Sequence, residues 1–140
     1  MFIQLILFAV ILFMSAGRID WLWAWVYLGF FILGNALFSW AMISNYFFST
    51  SVRIQFDRNR TVATGGPYCY VRHPGYVGFI VFNLAAPLIL GSFWALIPAG
   101  ITTVLFILRT AFEDRTLLEE LEGYKEYAEK VQYRLLPGIW

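Results

Sequence analysis

Charged residues divide this chain into long apolar stretches and short polar ones. Residues 1–17 and 21–52 carry no charged side chain, and residues 73–108 contain no Asp, Glu, Lys or Arg. A helix that crosses a membrane needs about 20 apolar residues at about 1.5 Å rise each. The pattern therefore predicts an integral membrane protein built from helices.

The apolar stretches are long enough for about four crossings. Residues 2–16 predict a short crossing; they lack a basic segment before them, so we interpret them as a retained helix rather than a signal peptide. Residues 21–48 predict one long helix. The last stretch is too long for a single crossing, so we expect a helical hairpin with arms at 75–90 and 93–108, which turns at "LGSFW".

The polar segments predict the orientation and a C-terminal helix. Four arginines fall within residues 53–72, which places the connector 49–75 on the cytoplasmic side and, with an even number of crossings, both termini as well. Residues 109–133 predict one cytoplasmic amphipathic helix, because apolar residues recur at helical spacing opposite a mainly acidic face. These apolar residues are Leu117, Leu118, Leu121, Tyr124, Ala128 and Val131.

The expected fold is thus a single all-α integral membrane domain over residues 1–140. It has two N-terminal membrane helices within 1–48, the connector, the membrane hairpin at 75–108, and a tail at 109–140. The compact chain and the lack of a targeting signal favour the inner membrane of a prokaryote.

Composition supports this class and excludes others. The chain is 60% hydrophobic and 14% charged, and its mean hydropathy is +0.66. A net charge of +1 predicts no nucleic-acid partner. One cysteine excludes an internal disulfide and a cysteine-cluster metal site, and a single histidine, His73, does not make a zinc centre alone. We therefore expect membrane lipid as a partner and no metal; the oligomeric state stays open.

The connector holds unusual chemistry in "GPYCYVRHPGY", residues 66–76. Arg72 and His73 suit an anion, and three tyrosines in the stretch suit a flat ring. Arg109 and Glu113 follow the hairpin and share one helix face. If the connector folds under that helix, one cavity holds cations and carboxylates, which suits a zwitterion carrying a second cation. The alternatives are an interfacial Arg-His anchor and a weak surface ion pair.

Two motifs resemble a known family. "GGPYCYVRHPGYVGF", followed by "RTAFEDRTLLEELEGYKEYAEKVQYRLLPGIW", resembles the isoprenylcysteine carboxyl methyltransferase family, a group of membrane methyltransferases that includes phospholipid N-methyltransferases. The resemblance covers about residues 40–140. It rests on Arg-His-Pro-x-Tyr-x-Gly, together with an acidic pair before a Gly-Tyr-x-x-Tyr helix. This chain has Glu-Asp where the family has Glu-Glu, and only two predicted helices before the connector.

The resemblance implies an enzyme that binds S-adenosylmethionine at the cytoplasmic end of the bundle. The implied acceptor is lipophilic and enters from the bilayer, as an isoprenylcysteine carboxylate would. A phospholipid or other small lipophile stays open as the acceptor. So do two other hypotheses: a shortened, non-catalytic membrane protein and a nicotinamide-dependent membrane reductase.

The resemblance also implies site residues. Glu113 corresponds to the acid near the cofactor and Arg109 to a residue nearer the acceptor, so these two are the implied catalytic residues. From the chemistry of the cofactor, Arg72 or His73 would meet its carboxylate, and Glu113 and Asp114 its ammonium and sulfonium. The remaining implied cofactor-binding residues are Gln55, Arg60, Thr61, Val62, Ala63, Tyr68, Pro74, Gly75 and Tyr76.

Overall fold

The computed structural model describes residues 2–45 and 62–140, and helices are the only regular secondary structure in these two ranges. The helices are α1 (Phe2–Ala16), α2 (Leu22–Ser44), α3 (Pro74–Leu90), α4 (Leu96–Glu120) and α5 (Tyr124–Lys130), with short 3-10 turns at Gly66–Cys69 and Phe93–Ala95. Residues 22–44 and 93–120 are long and apolar enough to cross a membrane, while α1 and α3 are shorter apolar helices. The predicted all-α membrane fold is confirmed.

The ends of α3 follow from two residues with special backbone behaviour. Pro74 is the first residue of α3, where its missing N–H costs no helical hydrogen bond. Gly91 follows the last residue with φ 57°, a left-handed conformation that favours glycine and stops the helix. The predicted hairpin turn therefore lies where the sequence placed it.

Helices α2 and α3 cross at two facing glycines. A Cβ atom added to Gly34 would lie 2.7 Å from the carbonyl oxygen of Gly78, and one added to Gly78 would lie 2.6 Å from that of Gly34. Small residues at a helix crossing let two backbones approach closely, which is a common way to associate helices in membranes. The crossing fixes α3, and with it the polar residues that precede α3.

Aromatic and polar contacts extend the bundle on both sides of this crossing. Phe8 of α1 stacks on Phe31 of α2 with ring centroids 5.1 Å apart, and Phe79 of α3 stacks on Phe106 of α4 at 5.4 Å. Asn83 donates from Nδ2 to the Ala99 carbonyl oxygen at 2.8 Å, which ties α3 to α4 within the apolar layer. Contacts between Asn83 and Ala99 and between Tyr76 and Glu113 show that α3 and α4 run antiparallel, so the start of α3 and the end of α4 share one end of the bundle.

The boundary between hairpin and tail differs from the prediction. Helix α4 continues without interruption through Glu120, because no glycine or proline falls between residues 108 and 120. The chain then turns at Gly123, with φ 79°, and α5 begins at Tyr124. The prediction of one helix over 109–133 is therefore wrong: its first half belongs to the membrane helix, and its second half is the separate α5.

A small aromatic core closes the end of the bundle that carries the motifs. It contains Ala41, Tyr68, Tyr124 and Tyr127, all buried. Tyr127 donates from its hydroxyl to the Tyr68 carbonyl oxygen at 2.8 Å. Burial raises the pKa of Tyr127 above its ordinary value, so the hydroxyl keeps its proton. This core holds the 3-10 turn of the connector against α5.

Candidate active site

Two neighbouring acidic residues on α4, Glu113 and Asp114, face different surroundings. Successive residues of an α-helix project about 100° apart, so the two carboxylates cannot point the same way. Asp114 has no exposed surface, whereas Glu113 is half-buried and lines a groove. The acidic pair therefore serves two separate clusters.

The first cluster, here called the buried ion cluster, consists of Asp114, Arg72, His73, Tyr124 and Arg134. Asp114 receives Nη1 of Arg72 at 3.0 Å on Oδ1, and Nε of Arg134 at 2.8 Å on Oδ2. The Tyr124 hydroxyl donates to Oδ1 at 2.9 Å, and the His73 Nε2 lies 3.4 Å from the same oxygen. The carboxylate is thus satisfied from every side by protein groups.

The burial of Asp114 explains why charged and hydrogen-bonding residues surround it. A fully buried carboxylate is stable only when charged and hydrogen-bonding partners replace the lost water. Burial and the neighbouring Asp114 charge both raise the pKa of Tyr124, so its hydroxyl stays neutral and remains a donor. The Nε atom of Arg72 is buried and meets no acceptor in the part of the chain that the structure describes.

The C-terminal segment reaches back to the connector through main-chain bonds. The backbone N–H of Arg72 donates to the Tyr133 carbonyl oxygen, and that of His73 to the Arg134 carbonyl oxygen, both at 2.9 Å. Nη2 of Arg72 donates to the Gln132 carbonyl oxygen at 3.2 Å. The Arg134 guanidinium lies over the Trp140 ring, 5.0 Å from its centroid. The C-terminal segment therefore holds the backbone of residues 72 and 73 and the side chain of Arg72.

The second cluster, here called the groove cluster, consists of Tyr76, Arg109 and Glu113. The Tyr76 hydroxyl donates to Oε2 of Glu113 at 2.5 Å. The Arg109 guanidinium carbon lies 5.6 Å from the Tyr76 ring centroid, within cation–π range. The His73 ring stacks on Tyr76 with centroids 5.9 Å apart and an interplanar angle of 14°. His73 therefore contacts both clusters.

A groove of about 410 Å³ runs beside the groove cluster along one face of α4. Its lining residues are spaced three or four positions apart, as a helical stripe requires. They are Leu105, Leu108, Arg109, Phe112, Glu113 and Thr116. An apolar channel with a cation and a carboxylate beside each other suits an amphiphile whose polar end needs orientation.

The structure brings several of the predicted site residues together and separates others. Tyr76, Arg109 and Glu113 meet beside the groove, and His73 contacts this cluster through the Tyr76 ring. Pro74 and Gly75 are buried at the start of α3, and Tyr68 lies in the aromatic core, against which Val62 and Ala63 pack. Gln55, Arg60 and Thr61 lie outside the described residues.

Arg72 and Asp114 differ most from their predicted roles. The cofactor chemistry predicts that Arg72 or His73 binds the carboxylate of a ligand and that Asp114, with Glu113, binds its ammonium. In the structure the two residues pair with each other, and Asp114 has no surface left for a ligand. The reason is the helical rotation that turns position 114 away from the groove, which a linear sequence does not display.

Two residues of the buried ion cluster received no role from the sequence. Arg134 is a single charge in the apolar stretch "YRLLPGIW", and Tyr124 belongs to the Gly-Tyr-x-x-Tyr pattern. An isolated charge among apolar residues is a signal for a buried partner, because such a charge is rarely buried unpaired. The partner itself, 20 residues away, required the structure.

Comparisons with known proteins identify one family. The model of the isoprenylcysteine carboxyl methyltransferase (ICMT) family matches residues 27–119. A Schizosaccharomyces pombe protein-S-isoprenylcysteine O-methyltransferase is 35% identical over 114 residues, which are 74% of this chain and 45% of that protein. A probable protein-S-isoprenylcysteine O-methyltransferase of Oryza sativa subsp. indica is 27% identical over 119 residues, 79% of this chain and 60% of that protein.

A third relative has a different acceptor in its name. Methanethiol S-methyltransferase 1 of Bradyrhizobium diazoefficiens is 37% identical over 65 residues, 46% of this chain and 22% of that protein. The chain spans about half the length of the curated relatives it matches. No solved structure matches it.

Proposed function

This chain belongs to the isoprenylcysteine carboxyl methyltransferase family, and from that premise we propose that it is a membrane methyltransferase that uses S-adenosylmethionine. The proposed acceptor is lipophilic and reaches the groove on α4 from the bilayer. A carboxylate on a prenylated cysteine is the acceptor that the names of its relatives favour. We place the site on the cytoplasmic side, because the connector before it is rich in arginine.

The groove cluster fits the cationic part of the methyl donor. S-adenosylmethionine carries a sulfonium, an ammonium, a carboxylate and an adenine. Glu113 is a half-buried carboxylate beside an apolar groove, where attraction for a sulfonium or an ammonium exceeds that in water. The ring of Tyr76, which is half-buried and is held by stacking on the buried His73, would offer an aromatic surface for the adenine.

Fewer protein groups are available to bind the carboxylate of S-adenosylmethionine. His73 and the two Nη atoms of Arg72 face Asp114 or a main-chain carbonyl, so neither side chain is free to form a full ion pair with a ligand. The Nε of Arg72 is a buried hydrogen-bond donor that has no acceptor in the described part of the chain. Because that N–H has no exposed surface, the carboxylate of S-adenosylmethionine would be held by groups outside the buried ion cluster.

The groove itself fits the acceptor. Leu105, Leu108 and Phe112 supply an apolar track along α4. Arg109 stands on the same face and would orient an acceptor carboxylate by a charge-assisted hydrogen bond. The chain's own contribution to the reaction would then be positioning, which is a large source of rate for a transfer between two bound groups.

The bound donor would supply an electrophilic methyl group, and the acceptor decides whether a base is needed. A carboxylate acceptor attacks without losing a proton. A thiol or amine acceptor must lose one, and Glu113 is then the residue placed to accept it. The observation that carries the proposal is the hydrogen bond from Tyr76 to Glu113, since it joins the Arg-His-Pro motif of α3 to the acidic position of α4 at the groove.

The test is donor binding and methyl transfer by the purified chain in detergent. Calorimetry would measure S-adenosylmethionine binding. Transfer of a labelled methyl group would be followed to N-acetyl-farnesylcysteine, to its carboxamide, to a long-chain thiol and to phosphatidylethanolamine. We expect binding, with transfer to the free carboxylate and not to the carboxamide.

Two variants on the same helix provide the control. Glu113→Gln should weaken donor binding at least tenfold. Glu119→Gln, which alters only an exposed pair with Arg115, should leave it unchanged. A folded wild-type chain that binds no S-adenosylmethionine would refute the proposed cofactor. Equal losses in both variants would remove Glu113 from the site.

A further inference from the structure

The C-terminal segment contacts the site motif without touching the groove. Arg134 bonds to Asp114, and Asp114 faces His73, whose ring stacks on Tyr76. Tyr76 in turn bonds to Glu113 in the groove. A continuous series of contacts therefore runs from residue 134 to the residues proposed to hold the donor.

The geometry points to Arg134 as a positioning residue for the Arg-His-Pro-x-Tyr motif, acting through Asp114. The expected effect on S-adenosylmethionine binding rests on the proposed function, whereas the expected effect on the orientation of His73 does not. The side chain of Arg134 is 32% exposed, and Arg134 is not among the residues that line the groove. It is therefore not a catalytic residue.

The burial pattern explains why the motif needs such a residue. His73 precedes Pro74, and its backbone is neither helical nor extended, with φ −127° and ψ 59°. The His73 ring contacts Asp114 through Nε2 and the Tyr76 ring by stacking, and these two contacts orient it. Asp114 keeps its place only while both arginines offset its burial.

Arg134 supplies contacts to Asp114 and His73 that come from outside the membrane helices. Its Nε makes the shortest contact to Asp114, at 2.8 Å, and its backbone carbonyl accepts the N–H of His73. The Trp140 ring restrains the guanidinium from the other side. One residue thus fixes both the main chain of His73 and the acceptor that its ring faces.

The experiment uses the fact that the chain has one histidine. In the full chain, labelled with ¹⁵N-histidine and held in detergent micelles, every imidazole signal in an NMR spectrum comes from His73. Arg134→Gln removes the charge, Arg134→Lys keeps it without the planar guanidinium, and Arg115→Gln is the matched surface control. Donor affinity would be measured by calorimetry on the same samples.

We expect the His73 signal to move in Arg134→Gln and to move less in Arg134→Lys. S-adenosylmethionine affinity should fall about tenfold or more in the glutamine variant and be partly restored by lysine. Arg115→Gln should match the wild type in both measurements. If the glutamine variant does not fold, the comparison of lysine with wild type decides.

An unchanged His73 signal in the folded Arg134 variants would overturn the inference, whatever the affinity. A displaced signal with unchanged affinity would also overturn it, since Arg134 would then support the fold and not the site. A wild-type chain that binds no donor refutes the proposed function. In that case the histidine signal still tests whether Arg134 orients His73.

Discussion

Exchanging a carboxylate for an amide at two adjacent positions, 113 and 114, should affect two different properties of the protein. Glu113→Gln and Asp114→Asn remove the same charge from the same helix turn. The structure places Glu113 half-buried at a groove and Asp114 in a cluster where its own exposure is zero. We expect the first change to reduce donor binding and the second to destabilise the fold.

The magnitude for Asp114 follows from its partners. Removing one member of a buried ion pair costs about 3–5 kcal/mol, because the remaining charge stays buried without compensation. Arg72 would be left in that state, at 8% side-chain exposure, whereas Arg134 is 32% exposed and can turn toward water. The expected loss for Asp114→Asn is therefore near the lower limit, about 3 kcal/mol.

The loss for Glu113→Gln should be much smaller. Glutamine keeps an oxygen that accepts the Tyr76 hydroxyl, so the hydrogen bond survives with a neutral acceptor. The difference between a charged and a neutral hydrogen bond is about 1 kcal/mol. A stability difference of about 2 kcal/mol between the two variants is the quantity to be measured.

The assay is equilibrium unfolding in mixed micelles, followed by circular dichroism, for the wild type and both variants. Donor binding would be measured by calorimetry at a temperature where all three are folded. Equal free energies of unfolding for the two variants, or a loss below about 1 kcal/mol for Asp114→Asn, would refute the reasoning that separates the two clusters.

Three further predictions test the packing, the groove and the aromatic core. Gly34→Ala should cost about 1–3 kcal/mol of unfolding free energy, because the new methyl group would meet the carbonyl oxygen of Gly78 on a backbone that cannot turn aside. Gly29→Ala, with no atom within 4 Å of its added Cβ, is the control, and stability should not fall. Tyr76→Phe should weaken donor binding about two- to tenfold in calorimetry by releasing Glu113, with little change in thermal unfolding. The free energy of unfolding should fall as the pH rises above about 10. Burial raises the pKa of three tyrosines in the folded state, so the stability that they contribute is lost as the pH rises through their folded-state pKa values. A denaturant series at several alkaline pH values would measure this fall. These tyrosines are Tyr68, Tyr124 and Tyr127.

Much of the membrane architecture was predictable because it depends on local properties. The absence of charge over residues 73–108, together with Gly91, was enough to predict a hairpin and its turn, since both follow from hydropathy and backbone preference. The end of the second arm was not predictable in this way. Charges begin at Arg109, but a helix ends at a backbone signal, and the next such signal is Gly123.

The sequence predicts which residues belong to the site better than it predicts how these residues are arranged. The sequence predicts that the motif and the acidic pair belong to one site, and in the structure Tyr76 contacts both His73 and Glu113. The division of the acidic pair into a buried and a groove-facing residue depends on the rotation of α4 relative to α3. That rotation is set by contacts far along the chain, such as Phe79 with Phe106, and is therefore not a local property.

Because α4 is uninterrupted, its number of residues fixes the position of Glu113 relative to the hairpin turn. Its 25 residues extend about 37 Å, and the charged end, which begins at Arg109, starts about 20 Å along the same helix from Leu96. One residue inserted near Gly100 would rotate that end by about 100° and turn Glu113 out of the groove. Four inserted residues would nearly restore the direction but raise the site by about 6 Å. In this family member, the number of residues between the hairpin turn and position 113 is therefore as much a part of the site as the side chains themselves.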